Sequence, residues 1–178
     1  MCSLESLKID LKGLNESEIA LEYDLDDAYF RAINAPEVSK GLVHVSLTIR
    51  RLSGFFELLF HTEGTVVIPC DRCLDEMSQP IAADNRLAVK LGAEYSDGDD
   101  LVTIDENEGI LDVSWFIYEF IVLAIPIKHV HEPGLCNAAM IEALEEHSAA
   151  RSSDEEEVQD VDPRWQALLK LKDESLEQ

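Results

Sequence analysis

Between Leu42 and Leu91 the chain keeps a hydrophobic period of two, and that pattern limits the fold more than any other feature. Val43, Val45, Leu47 and Ile49 alternate with His44, Ser46, Thr48 and Arg50. Such alternation puts one row of side chains against a core and the other in water, the mark of a half-buried strand. Ser53-Gly54 supplies a turn, and Phe56, Leu58 and Phe60 continue on one face of a returning strand toward Val66 and Ile68, with Gly64 read as a bulge. Met77, Ile81, Ala83, Leu87, Val89 and Leu91 form a third run, in which Pro80 marks an edge or a bulge. Three long strands in succession predict a twisted antiparallel sheet.

The flanking segments add helices, so the expected class is α+β. Two short strands are predicted at Leu7–Leu11 and Glu18–Tyr23, broken by the turn Gly13-Leu14-Asn15. A short helix follows, capped by Asp24 or Asp26, with Tyr29, Phe30 and Ile33 as its apolar face and Pro36 as its stop. The run from Val113 to Ile125 is shorter than the roughly 20 residues of a membrane span and contains Glu119. It reads as a buried helix, capped by Asp112 or Ser114, ended by Pro126 and packed on the sheet. Glu94, Asp97, Asp99, Asp100, Asp105, Glu106 and Glu108 crowd the segment before it, whose first half reads as a solvated loop. The calcium-loop pattern of alternating acids, a glycine and a terminal glutamate is missing from it.

The strand pattern delivers the chain to Cys70-Asp71-Arg72-Cys73 at a strand-to-strand connection. Two thiols separated by two residues can close on one metal ion at little backbone cost. A third thiol, Cys136, ends a segment that carries His129 and His131. Three thiolates and an imidazole make a closed Cys3His site of the kind that holds structural zinc. Two other readings use the same residues. A redox pair would want a βαβ context with the first cysteine at a helix N-terminus, which the pattern does not offer. Buried thiols can also be chemically inert. A thiol-dependent enzyme using Cys70 and Cys73 is the competing functional class, but no oxyanion loop, orienting Asn or Asp motif, or glycine-rich phosphate loop accompanies them.

Charge bears on partners. The 178 residues carry 37 acids against 14 Lys and Arg, a net of -23. Nucleic acid is bound chiefly by cations that displace counterions from phosphates, so the favoured partner is a basic protein. The local exceptions are Arg50-Arg51, Arg72 between the thiols, and Arg164, Lys170 and Lys172 near the end. Arg72 reads either as a contact to phosphate or carboxylate or as a brace for its own loop. The mixed charges Glu5, Lys8, Asp10 and Lys12 are unlike a signal peptide, so a cytoplasmic location with reduced thiols is expected, with neither a membrane nor a small-molecule substrate.

The organisation expected from these patterns is a single α+β domain over residues 1–147, an acidic linker over 148–161 and an amphipathic helix over 162–178. Ala138, Met140, Ile141 and Leu144 predict a helix at the end of the domain. The terminal helix has Asp162 as cap, Pro163 in its first turn and Trp165, Leu168 and Leu169 on one face. It either docks on its own core or offers Trp165 to a partner.

Together these motifs resemble the YceD family of large ribosomal RNA subunit accumulation proteins. The likeness rests on Cys70-Asp-Arg-Cys-Leu74 after a strand, the acidic loop, the "EFIVLAIP" helix, the following Pro-x-Lys-x-Val-His segment with its cysteine, and the terminal "DPRWQALLKLK". It spans residues 5 to 174. Many relatives continue with a "GLCPxCG" knuckle; here Gly134-Leu135-Cys136 matches its start and Asn137-Ala-Ala-Met140 removes the last cysteine. His131 is then the natural fourth ligand and His129 the runner-up. The resemblance implies a non-enzymatic role in producing or stabilising large-subunit ribosomal RNA, through a basic ribosomal or assembly protein or through the RNA itself.

Overall fold

A computed structural model of the chain describes residues 4–93, 96–98 and 101–147. The expected acidic linker, the terminal helix and Trp165 lie outside the described residues. The chain divides into two units, Met1–Ala143 and Leu144–Gln178, and the first holds every described strand.

The three strands expected from the alternation are present and long: β3 (Lys40–Arg51), β4 (Phe56–Pro69) and β5 (Glu76–Gly92). With β2 (Glu18–Leu25), β6 (Ser96–Asp97) and β7 (Val102–Asp105) they form a six-stranded sheet in the order β2-β3-β4-β5-β7-β6. Every pairing is antiparallel except β5 with β7, which run parallel from Val89–Val102 to Gly92–Asp105. The β6–β7 pair folds back on itself, so β7 returns in the direction of β5. Val102 and Ile104 are buried, so part of the segment read as a solvated acidic loop is instead a strand set between β5 and the edge strand β6.

Gly64 is not a bulge. The ladder runs through it without interruption, Val43 opposite it on β3 and Ile81 on β5. Glycine is needed there because a Cβ would come 2.3 Å from the Leu42 carbonyl oxygen and 2.7 Å from the Val43 Cα. Pro80 sits where β5 has no second neighbour among the described residues, the position a residue without an N–H can occupy without losing a ladder bond.

Helix α1 (Asp27–Ala32) starts at Asp26, whose carboxylate accepts the Ala28 and Tyr29 N–H groups. Helix α2 (Ser114–Leu123) starts under Asp112, which accepts both the Ser114 N–H and its hydroxyl. Strand β1 (Lys8–Asp10) does not pair with β2; its partner is β8 (Ile110–Asp112), about a hundred residues away. Tyr29, Phe30, Leu47, Leu58, Phe60, Ile117 and Ile121 are among the buried members of one core shared by the sheet, α1, α2 and the β1–β8 ribbon. Each such side chain contributes about 1.5 to 3 kcal/mol on burial. Phe60 meets Phe120 edge-on at 5.2 Å, and the Tyr29 hydroxyl donates to the Ser114 carbonyl at 2.7 Å. These contacts hold α2 at both ends, Ser114 at its start and Phe120 near its end, from which the second half of the candidate site departs. Helix α3 (Ala138–His147) follows that half and has no buried residue.

Candidate metal centre

The turn between β4 and β5 carries Cys70 and Cys73, both buried. Its backbone is closed by hydrogen bonds from the Cys70 N–H to the Asp75 carbonyl and from the Leu74 N–H to the Cys70 carbonyl, each 2.9 Å. Leu74 completes the reversal at φ +64°, a left-handed conformation that costs a residue with a Cβ about 1 kcal/mol. A turn this tight aims both sulfurs to one side.

The segment after α2 supplies the remaining donors. Cys73 Sγ lies 3.3 Å from His131 Nδ1, Cys70 Sγ lies 4.0 Å from Cys136 Sγ, and Cys136 Sγ lies 4.0 Å from His131 Nδ1. All four donor atoms fall within 4.8 Å of one another. Zn–S bonds of about 2.3 Å and Zn–N bonds of about 2.0–2.1 Å at tetrahedral angles place sulfurs about 3.8 Å apart and sulfur and nitrogen about 3.6 Å apart. The two sulfur–nitrogen separations bracket their value and the Cys70–Cys136 separation is about 0.2 Å above its own, and the three sulfurs with one imidazole are a soft donor set that suits zinc. The cluster can hold a metal ion.

Local electrostatics prepare one thiol for that role. Burial alone would raise the Cys70 pKa, but the backbone N–H groups of Cys73, His131 and Arg72 point at its sulfur and bring it down to about 6. The Arg72 and His131 N–H groups stand 3.4 and 3.5 Å from Cys70 Sγ. Cys136 moves the other way, to about 11, through burial and through sharing hydrogen bonds with the Cys70 and Cys73 sulfurs. A cation at the centre would reverse that second shift, because it favours every thiolate around it.

His129 is not part of the cluster. Its backbone N–H donates to Asp71 Oδ2 at 2.8 Å, its Nε2 lies 3.2 Å from Asp71 Oδ1, its Nδ1 lies 3.0 Å from the Pro126 carbonyl oxygen, and its own carbonyl accepts the Asp71 N–H at 2.9 Å. This clasp joins the two ligand-bearing segments beside the donors. Sequence reasoning gave Asp71 no role, and nothing in its spacing marked one. A second tie was more legible: Asn137, an N-cap type of residue before an amphipathic stretch, accepts the Ala139 N–H and donates through Nδ2 to Asp75.

The family of large ribosomal RNA subunit accumulation protein YceD is matched over residues 58–172, about two thirds of the chain. The chain belongs to the YceD family. The match starts inside β4 and takes in the whole cluster. No curated protein and no solved structure matches the chain.

Of the other residues singled out in this YceD-family chain, Arg50 and Arg51 stand apart from the cluster. Arg50 lies on β3, with its Nε 2.9 Å from Glu18. Arg51 donates to the Leu14 carbonyl and stands over the Phe56 ring. Arg72 is exposed on the knuckle, and its guanidinium engages no partner among the described residues. No helix among those residues is long and apolar enough to cross a membrane.

Proposed function

We propose that the chain is a non-enzymatic accessory factor that supports large-subunit ribosomal RNA accumulation in the cytoplasm by binding a basic ribosomal or assembly protein, with zinc as a structural ion on Cys70, Cys73, His131 and Cys136. The observation that carries the reading is the family match across a cluster whose three sulfurs and one nitrogen lie within 4.8 Å of one another, a set that would fill a tetrahedron around one ion. A filled tetrahedron leaves no position for an activated water, so the ion's part is to hold the β4–β5 turn to the segment after α2. The net charge of -23 favours a basic partner. So does the engagement of Arg50 and Arg51 within the domain, which leaves that pair less available to phosphate.

A thiol-dependent enzyme or redox protein remains the second reading, favoured by the Cys73–His131 approach and the lowered Cys70 pKa. Elemental analysis, with deletion of the gene, tests the two together. The proposal expects zinc near one per chain and a fall in large-subunit relative to small-subunit ribosomal RNA. An unchanged ratio with a metal-free, fast-reacting thiol would replace it with the second reading.

A further inference from the structure

Leu74 carries two costs at once. It holds a left-handed φ of +64°, where glycine would sit without strain, and its side chain is 67% exposed. The turn needs that conformation but not a leucine, since glycine would close it as well, and the exposed side chain gains little from burial. Non-glycine residues in such conformations concentrate where a surface binds something. Leu135 repeats the exposure, at 66%, on the other ligand segment. Leu74 follows Cys73 and Leu135 precedes Cys136, and the sulfurs of those cysteines lie within 4.8 Å. The Asp75–Asn137 hydrogen bond ties the same two segments together.

We infer that Leu74 and Leu135 are paired anchors of a docking surface for a protein segment that presents an aliphatic side chain flanked by Lys or Arg. The inference rests on the basic-partner reading above and gives it a location. Charge selects the occupant. Residues 70–76 and 128–142 together hold five carboxylates (Asp71, Asp75, Glu76, Glu132, Glu142) against two cations (Arg72, Lys128), and with Lys40, which pairs with Glu76, the net is -2. Those segments also contain no Phe, Tyr or Trp. Unpaired RNA bases are held by stacking on aromatic rings, and a surface of leucines within carboxylates offers neither a ring nor a phosphate-attracting field. An apolar anchor ringed by cations on the partner complements both the leucines and the acids.

The test uses full-length protein, immobilised with zinc, and two probes: proteins extracted from purified large ribosomal subunits, and protein-free large-subunit ribosomal RNA. Leu74→Gly removes the side chain and relieves the backbone, so it should keep its zinc and melt no lower than wild type. It should nevertheless retain the extracted basic proteins roughly tenfold less tightly or worse, as expected for loss of a central anchor. Leu135→Ser should weaken retention in the same direction. If Leu74→Gly retains the proteins as wild type does, the docking role is overturned while the basic-partner reading stands. If wild type holds only the RNA, or neither probe, both are overturned.

Discussion

Removing His131 and Cys136 together deletes every donor on the segment after α2, and its effect follows from chain connectivity. Cys70 and Cys136 are 66 residues apart, and an ion shared between them would close that loop. By the chain-entropy relation for a cross-link, a loop of this length is worth about 4 kcal/mol at 25 °C. For a chain of this size each kcal/mol moves Tm by about 2–4 °C, so the His131→Ala, Cys136→Ser protein should melt about 8–16 °C below zinc-loaded wild type. Chelator should lower wild type by a similar amount and leave the double variant unmoved. Hydrogen exchange should locate the change, with amides of residues 126–137 losing protection while β3 and β4 keep theirs. Calorimetry with and without chelator, beside zinc analysis, reads all of this. A wild-type protein that takes up no zinc, or a double variant that melts like wild type in both conditions, would refute the reasoning.

His129→Ala should separate the two imidazoles: zinc content stays at the wild-type level, while loss of the contact to Asp71 lowers stability by about 1 kcal/mol, measured by urea unfolding. Gly64→Ala should be much worse than its size implies, on the order of 3 kcal/mol, because the new Cβ meets β3 backbone rather than a movable side chain; circular dichroism melts check it. His44 and His61 on the open face of the sheet are held above their ordinary pKa, first by hydrogen bonds to Asp24 and Asp84 respectively. A raised folded pKa adds stability that is full below about pH 6.5 and fades as pH rises through the folded value. NMR titration of Asp24→Asn and Asp84→Asn proteins should show each ring returning toward that ordinary value. In the zinc-bound native form Cys70, Cys73 and Cys136 should resist a thiol reagent, and all should react after denaturation in chelator.

The long strands were legible because one face of β3, β4 and β5 is buried, and a period of two survives wherever one face meets water. Partnership was less legible. Nothing local in Lys8–Asp10 says that its neighbour is Ile110–Asp112, and the acids around Val102 and Ile104 masked a strand of four residues. Gly64 illustrates the same limit, since glycine signals an unusual backbone need without saying whether the need is a bulge or a close approach. At the centre, donor chemistry named the four residues, but spacing alone could not decide between His129 and His131. That choice is made by Asp71, whose carboxylate takes the His129 backbone and ring and leaves His131 facing the sulfurs. The engagement of Arg50 and Arg51 was equally out of reach, because their partners Glu18 and Leu14 approach only once β2 lies beside β3.

The order in which the core elements occur along the chain sets a timetable for synthesis. Strands β2 to β5 are complete once residue 92 has emerged, yet the α2 side chains that pack into their apolar face lie between residues 114 and 123, and the last donor of the cluster is residue 136. At about 5–20 residues per second the nascent sheet waits roughly 2 to 9 s before its final clasp can close. During that interval the apolar side of Phe60 lacks the cover that Phe120 of α2 brings, so slow elongation between residues 92 and 136 should be the step at which this protein most needs a chaperone.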